Sequence, residues 1–361
     1  MSASKKINAL KYLAIFTAPF FALISLYGYG WWTYATAFYI FGFVPIGDMI
    51  FRGSEENFSK AEEEMVKADK FYDYLIYSIV PCQYLLLVIF LFQVNEPGLS
   101  TFETIGRITA MGLMCVSLGI NVAHELGHRR SKFEQFLSKS LLLSTLYLHF
   151  FIEHNQGHHK NVSTPDDPAS AKKWDILYLF LVKSVVFSYI SAWKIEANNM
   201  KRKGFRFFSL KNEMIVYTII QIVFLSIICF FFGKLVTFYF ICAASLGFLL
   251  LETVNYVEHY GLSRNKVEGK HHYEKVQPIH SWNSNHYLGR ILLFELTRHS
   301  DHHADASRKY QVLRHFEEAP QMPLGYPGMI LLSFFPPLFF IMVHPIIDRF
   351  EKEKKAFYAS V

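Results

Sequence analysis

The sequence contains few cysteines, and none of them is paired by spacing. Cys82, Cys115, Cys229 and Cys242 all lie inside apolar runs, and no C-x-x-C pair occurs. This absence excludes a rubredoxin-type or iron–sulfur centre within the chain, and we predict that the four thiols are small buried apolar groups. A G-x-G-x-x-G motif is also absent, so the chain lacks the fingerprint of dinucleotide binding.

Charge is scarce and unevenly distributed. Charged residues make up 18% of the 361 residues, whereas 52% are hydrophobic. A membrane-spanning helix needs ~20 mostly apolar residues, and several apolar blocks reach that length. The first block follows a basic start but no small-residue cleavage site, so it is predicted to be an uncleaved span. The six predicted spans are about 9–29, 31–51, 71–93, 104–123, 214–232 and 235–256.

The basic residues predict the orientation of these spans. Segment 129–213 carries fourteen Lys and Arg residues and the N-terminus is basic, whereas the short connections on the other side carry only Lys234. By the positive-inside rule, the basic segment is cytoplasmic. Six spans then place both termini inside and bring the inner ends of spans four and six to one face.

The formal net charge of +6 therefore belongs mainly to one side of a membrane. Such a surface favours anionic lipids or an acidic partner protein. No basic–aromatic nucleic-acid motif is present, so nucleic acid is not an expected partner.

These features predict the fold class. We expect an all-α integral membrane protein, a single domain over 1–361, with six transmembrane helices and a cytoplasmic helical cap. The cap is predicted to comprise about 124–213 and 257–327, with a helix over 131–153 at the inner surface. The apolar residues 328–345 are interrupted by Pro336 and Pro337, which indicates an interfacial or re-entrant piece.

Histidine is the most informative residue type. Four stretches, "NVAHELGHRR", "FIEHNQGHHK", "NYVEHYGL" and "LTRHSDHHAD", hold nine of the sixteen histidines. Residues three and four apart on a helix share a face, so each multi-histidine stretch can aim two or three imidazoles at one point. The charge-based topology places all nine on the cytoplasmic side. These candidate metal ligands are His124, His128, His154, His158, His159, His259, His299, His302 and His303.

Nine imidazoles are too many for one metal ion. Zinc takes four ligands and an octahedral ion takes six, so nine suit two ions that bind four and five. Imidazole suits Zn, Cu, Fe and Ni, and a redox-active iron pair explains the apolar surroundings better than zinc does. "HELGH" also matches the H-E-x-x-H pattern of zinc proteases, in which Glu125 would be the general base. Four clusters on one membrane face favour the larger metal centre.

Acidic residues recur beside the candidate ligands. A ligating imidazole usually donates its second N–H to a carboxylate or a carbonyl. We therefore expect neighbouring polar groups to orient the ligands. The candidates are Glu125, Glu153, Asp167, Glu258 and Asp301, with His280 and His286 of "HSWNSNH". The remaining histidines, His344 among them, are expected to have no metal role.

The histidine stretches, together with "TPDDPAS", "HSWNSNH", "RHSDHHADASRKYQVLR" and "PLGYPG", resemble the integral-membrane alkane 1-monooxygenase family. The resemblance runs from span two to about residue 328, and the N-terminal 30 residues and the tail after Pro345 carry no matching motif. It implies a non-haem di-iron site held by histidines. It also implies hydroxylation of the terminal methyl of n-alkanes to 1-alkanols with O2.

The same resemblance implies an electron partner. Rubredoxin, with rubredoxin reductase and NADH, is expected to supply electrons, in agreement with the missing dinucleotide and cysteine motifs. A bacterial inner-membrane location with the metal site on the cytoplasmic side follows. The basic run Lys201, Arg202 and Lys203 is predicted to help an acidic rubredoxin to dock.

Three alternatives remain open. A membrane fatty-acid desaturase or hydroxylase would form an alkene or a hydroxylated acyl chain. An aromatic-methyl (xylene-type) monooxygenase of the same superfamily would oxidise xylene in preference to octane. A membrane metal transporter or sensor is the non-enzymatic alternative, although transporters place polar groups through the bilayer midplane.

Overall fold

The computed structural model describes residues 9–51, 53–270 and 272–360. These residues form helices and loops with two isolated bridges, so the predicted all-α class is confirmed for the described part of the chain. Residues 1–8, which contribute to the predicted basic N-terminus, lie outside it. The helical segments are Lys11–Tyr27, Gly30–Ile50, Lys60–Ala68, Lys70–Gln93, Thr101–Gly127, Lys132–Leu143, 150–161, Leu177–Arg202, Glu213–His259, Tyr287–Leu292, His299–Ala304, Tyr326–Ser333 and Pro336–Ser360, with single turns at Pro278–His280 and Tyr310–Val312.

Five of these helices are long and apolar enough to cross a membrane. They are Gly30–Ile50, Lys70–Gln93, Thr101–Gly127, Leu177–Arg202 and Glu213–His259. The first predicted span corresponds to a shorter apolar helix, Lys11–Tyr27. The lengths and composition of these helices are those of an integral membrane protein.

The 47-residue Glu213–His259 segment consists of two antiparallel helices. Gly233 has φ 82° and ψ 170°, a conformation that essentially only glycine adopts. The rings of Phe224 and Phe240 lie 5.9 Å apart, whereas sixteen residues of continuous helix would separate them by ~24 Å. The chain therefore reverses at Gly233, between the segments 214–232 and 235–256 that the sequence predicts as separate spans.

The turns distant from the histidines gather at one end of the bundle. Arg107 is fully buried there. It donates to the Gly28 carbonyl at 3.2 Å and pairs with Glu96 at 2.9 Å. The rings of Phe92 and Phe232 lie 5.0 Å apart, so the turn at 233 lies at the same end. The histidines consequently occupy the opposite ends of the same helices.

The two antiparallel helices form a hairpin. The Leu177–Arg202 helix, called the transverse helix below, lies across the ends of this hairpin. Near its start Ser184 donates to Glu252, and farther along Glu196 accepts from the Glu213 backbone N–H at 3.0 Å. Residues 213 and 252 are almost equally far in sequence from the turn at 233, so they lie at one depth. A helix that touches both runs across the bundle rather than alongside it. This contact pattern agrees with the predicted place of the helix in the cap, and the count of six spans stays a prediction.

The helix predicted over 131–153 is interrupted. Lys132–Leu143 is followed by a turn in which Leu146 has φ 55°, and the next helix begins at residue 150. Ser144 and Thr145 donate through their hydroxyls to carbonyls three residues earlier, at 2.7 and 3.0 Å. Such local hydrogen bonds compete with the helix. The predicted interruption near Pro336 is confirmed by the break between Tyr326–Ser333 and Pro336–Ser360.

The turn at Gly233 allows a direct test of the hairpin. An added Cβ has nothing within 4 Å at either Gly233 or Gly42, but only Gly233 has a positive φ. Gly233→Ala should therefore destabilise the protein by about 1–3 kcal/mol through backbone strain alone. Gly42→Ala is the matched control and should leave the unfolding temperature in detergent almost unchanged. Equal unfolding temperatures for the two variants would contradict the assigned turn.

Candidate metal centre

The nine predicted imidazoles lie together in two adjoining groups. Within each group, one ring nitrogen from every histidine lies within 4.8 Å of the others. The five-histidine group consists of His124, His128, His154, His159 and His302, and the four-histidine group consists of His158, His259, His299 and His303.

A widened helical turn divides one histidine stretch between the two groups. His154–His158 forms a π-type turn, in which hydrogen bonds run from residue i to i+5. Residues five apart therefore meet, and the Nε2 atoms of His154 and His159 are 3.0 Å apart. His158 points instead to the four-histidine group. An ordinary helix would have paired His154 with His158.

The last histidine stretch is also shared between the groups. His299 and His303, four residues apart on one short helix, face the four-histidine group, and His302 faces the other. The rings of His159 and His303 stack across the boundary with centroids 4.4 Å apart. The two groups are thus neighbouring sites rather than distant ones.

The donor set fits bound cations. Burial, followed by repulsion between imidazoles, lowers the pKa of five of these rings, which favours the neutral form in which imidazole binds metals. This holds for His154, His159, His299, His302 and His303. Among the described residues, the buried Nε2 atoms of His124, His128 and His158 have no hydrogen-bond partner. An unsatisfied buried polar atom costs ~1–3 kcal/mol, a cost that a metal ion would remove.

Asp167 orients His158. Its Oδ2 lies 2.9 Å from His158 Nδ1, and the same carboxylate accepts from the Ser170 hydroxyl and the Ala169 backbone N–H. Although burial by itself disfavours the imidazolium, this carboxylate raises the pKa of His158 to about 9. The contact with Asp167 occupies Nδ1 and leaves the unpartnered Nε2 as the nitrogen that can face the four-histidine group. This contact agrees with the predicted pairing of Asp167 with a candidate ligand.

Glu258 and its neighbours support the other side of the four-histidine group. One Glu258 oxygen lies 3.2 Å from His299 Nε2, and the other accepts from the Tyr326 hydroxyl at 2.6 Å. His259 Nδ1 lies 3.4 Å from the Ser281 hydroxyl and also contacts the backbone of His280. Sequence reasoning missed Tyr326, although it lies in the quoted stretch "PLGYPG".

Three predicted partners of the ligands bind other groups instead. Glu125 pairs with Arg129 at 2.6 Å and accepts from the Tyr310 backbone N–H. This pairing argues against the protease interpretation, in which Glu125 would face a metal-bound water. Asp301 forms an ion pair with Arg308 at 3.1 Å and accepts a hydrogen bond from the Arg314 backbone N–H at 2.8 Å. His286 binds the Ser284 hydroxyl at 2.9 Å.

Glu153 lies beside the four-histidine group. It lines a small cavity together with His158, Glu252 and Asn255. Burial, followed by the nearby Asp167 carboxylate, raises the pKa of Glu153. A raised pKa favours the neutral carboxylic acid, which can donate a hydrogen bond.

An apolar cavity reaches the histidines from between the membrane helices. Three candidate ligands border it, His124, His154 and His299, and Glu258 and Tyr326 also line it. π-type turns at Tyr39–Phe43 and Cys115–Ile120 contribute lining residues. The apolar lining includes Ile40, Phe41, Leu113, Val116, Phe150, Leu250, Leu251, Val254, Leu293, Leu296 and Ile330.

Three neighbouring aromatic residues of the second helix have different surroundings. Phe38, Tyr39 and Phe41 lie within four positions of one another in the helix Gly30–Ile50. Phe41 lines the cavity, Phe38 is exposed, and Tyr39 is buried against Phe21 with ring centroids 4.4 Å apart.

Comparison with known proteins gives consistent matches. The fatty acid desaturase family profile matches residues 104–333. An alkane 1-monooxygenase 2 of Pseudomonas aeruginosa is 38% identical over 334 residues, 91% of this chain and 86% of its own length. An alkane 1-monooxygenase of Acinetobacter baylyi is 38% identical over 311 residues, 86% of this chain and 76% of its own. The hydroxylase component of a Pseudomonas putida xylene/toluene monooxygenase is 28% identical over 254 residues, covering 70% and 65%.

The contact between Asp167 and His158 predicts a measurable loss of metal affinity. Asp167→Asn removes the charge that keeps the Nδ1 proton in place, and losses of ~10–100-fold are typical of such changes. The measurement is the metal retained by purified protein during titration with a chelator. Asp166→Asn is the matched control, because Asp166 is the exposed neighbour. Equal metal retention in the two variants would remove Asp167 from the site.

Proposed function

Because this chain belongs to the alkane 1-monooxygenase family, we propose that it hydroxylates the terminal methyl of n-alkanes to 1-alkanols with O2. The carrying observation is the apolar cavity that ends at buried histidines of both groups. An alkane has only C–H and C–C bonds, so it can be held only by shape and apolar contact. The cavity lining offers this kind of contact.

We assign the nine histidines as ligands of two iron ions, five for one and four for the other. Bound iron would supply the redox chemistry that activates O2, which no amino-acid side chain supplies. The donor set supports this assignment, because neutral imidazoles are suited to iron and their unpartnered nitrogens face one another.

The residues of the chain hold and orient the substrate. The terminal carbon lies beside His124, His154 and His299, and the rest of the alkyl chain extends between the membrane helices. The apolar lining excludes water, which prevents side reactions at the site. The hydrogen bond from Tyr326 to Glu258 satisfies a buried carboxylate at the reacting end of the cavity.

Electrons come from a separate protein in this proposal. We infer that an acidic rubredoxin, reduced by NADH through rubredoxin reductase, docks where the metal centre lies closest to the surface. His128 and His159 are only half-buried, and the exposed Arg130 and Lys160 lie next to them in sequence. The positive charge of this surface would attract an acidic donor.

We further propose that the chain is a single domain in a bacterial inner membrane, with both termini and the metal centre on the cytoplasmic side. The fourteen basic residues of 129–213 support this orientation. The histidines lie at the ends of the helices opposite to the turn at Gly233.

A second candidate activity is oxidation of aromatic methyl groups. It is favoured by the similarity to a xylene/toluene monooxygenase component over 70% of the chain. The match to the fatty acid desaturase family concerns a superfamily that shares histidine clusters. A metal transporter is disfavoured because the histidines gather at one end of the bundle, next to an apolar cavity.

The proposal predicts product and metal content together. Cells that express the chain and are fed n-alkanes should form 1-alkanols by gas chromatography, and purified protein should contain two irons. His259→Ala and His302→Ala should each lose iron and activity, because each removes a ligand from one group. Xylene oxidation without alkane turnover would favour the second candidate.

The control for these variants is an exposed histidine. His344 is unsuitable, because it binds the hydroxyl of Tyr260 at 2.9 Å, next to His259. His272 is exposed, and His272→Ala should retain iron and activity. Full iron and activity in His302→Ala would show that the ligand assignment is wrong.

The electron route predicts dependence on partner and on salt. In vesicles with NADH, reductase and alkane, alcohol should form only when rubredoxin is present. The rate of alcohol formation should fall as the salt concentration rises, because the Debye length shrinks from ~10 Å at 0.1 M to ~3 Å at 1 M. Full activity without rubredoxin would refute the need for a partner. A rubredoxin-dependent rate that ignores salt would refute charge-guided docking.

A further inference from the structure

The segment 201–211, "KRKGFRFFSLK", joins the helix that lies across the bundle to the first helix of the hairpin. It holds five cations, four apolar residues and no acid. From the sequence, its first three cations are predicted to help an acidic rubredoxin to dock. We infer that this segment instead binds anionic phospholipid headgroups of the bilayer that the hairpin spans.

Two apolar side chains of this segment are largely exposed. Phe208 is 86% exposed and Leu210 is 76% exposed. Phe207 lies against Trp193, with ring centroids 5.9 Å apart, and so fixes the segment to the transverse helix. Phe and Leu side chains beside Lys and Arg are typical of segments that lie at the headgroup boundary.

The segment has a defined backbone rather than a loose one. The Asn212 side chain donates to the Phe207 carbonyl at 3.0 Å and accepts from the Met214 and Ile215 backbone N–H groups. Phe208 and Leu210 are therefore held next to the point where the membrane helix begins.

Connectivity sets the depth of the segment. The helix that follows runs from Glu213 to the turn at Gly233, and twenty helical residues span ~30 Å, the thickness of the hydrocarbon core. Residue 213 therefore lies at one boundary of that core, and the transverse helix contacts it there through Glu196. Segment 201–211 lies at the same boundary, continuous with the lipid-facing surface of the hairpin.

Charge selects the lipid. Lys201, Arg202, Lys203, Arg206 and Lys211 are all exposed. The Lys211 ammonium lies 3.7 Å from the centre of the Phe205 ring, so apolar and cationic groups share one surface. Each Lys or Arg near an anionic leaflet contributes ~1 kcal/mol, a factor of about five in lipid enrichment. A transient electron-transfer partner would leave Phe208 and Leu210 in water between encounters, whereas lipid covers them permanently.

The test uses the full chain in vesicles. A Phe208→Cys variant carries an environment-sensitive fluorophore at the new cysteine. The unmodified chain is labelled in parallel, so that the fluorescence from its native cysteines can be subtracted. The label at 208 should be quenched by brominated lipid. It should show stronger quenching in an equimolar phosphatidylcholine–phosphatidylglycerol mixture than in phosphatidylcholine alone. A label at Glu268→Cys, in an exposed polar loop, is the control and should not be quenched.

Neutralising the cations separates charge from apolar contact. Lys203→Gln in the Phe208→Cys background should lower the enrichment of phosphatidylglycerol around the label about fivefold. Adding 1 M salt should also lower this enrichment. Equal quenching in the phosphatidylcholine–phosphatidylglycerol mixture and in phosphatidylcholine alone would overturn the anionic preference. A label at 208 as solvent-exposed as that at 268, or shielded only when rubredoxin is added, would overturn the membrane assignment.

Discussion

The convergence of nine imidazoles at one end of an apolar bundle is the constraint on which the structure depends. Rings as close as His124 and His154, with centroids 4.3 Å apart, would repel one another if they were protonated. Unpaired buried nitrogens are themselves costly. The surrounding ion pairs, such as Glu125 with Arg129 and Asp301 with Arg308, fix the segments that carry the rings. The histidine end of the bundle therefore holds its imidazoles in fixed positions that could bind metal ions.

The other end of the bundle makes this convergence possible. Buried Arg107 and the reversal at Gly233 align the helices, so that several of them deliver histidines to one depth. The apolar cavity between these helices ends at histidines of both groups. A substrate without polar atoms can therefore be positioned by the membrane helices while its terminal carbon lies beside the metal centre.

The transverse helix connects the metal centre to the membrane surface. Its contacts with Glu252 and Glu213 keep it at the depth where the hairpin helices end, and the segment that follows exposes cations beside Phe208. Headgroup binding there would hold the metal centre at a fixed distance from the apolar region that stores its substrate. Function and membrane placement then rest on the same helix ends.

The sequence by itself determined the all-α class, the apolar helical segments and the nine histidines that converge, because apolar length and histidine spacing are local properties of the chain. Tertiary structure alone decided which rings meet. The π-type turn at His154–His158 sends His158 away from its neighbours, and an α-helical period cannot reveal such a turn. The contacts of Glu125 and Asp301 with arginines, and the place of Tyr326 beside Glu258, also depend on packing between segments far apart in sequence. Spacing could therefore identify the candidate ligands, whereas only the packed chain could divide them into five and four.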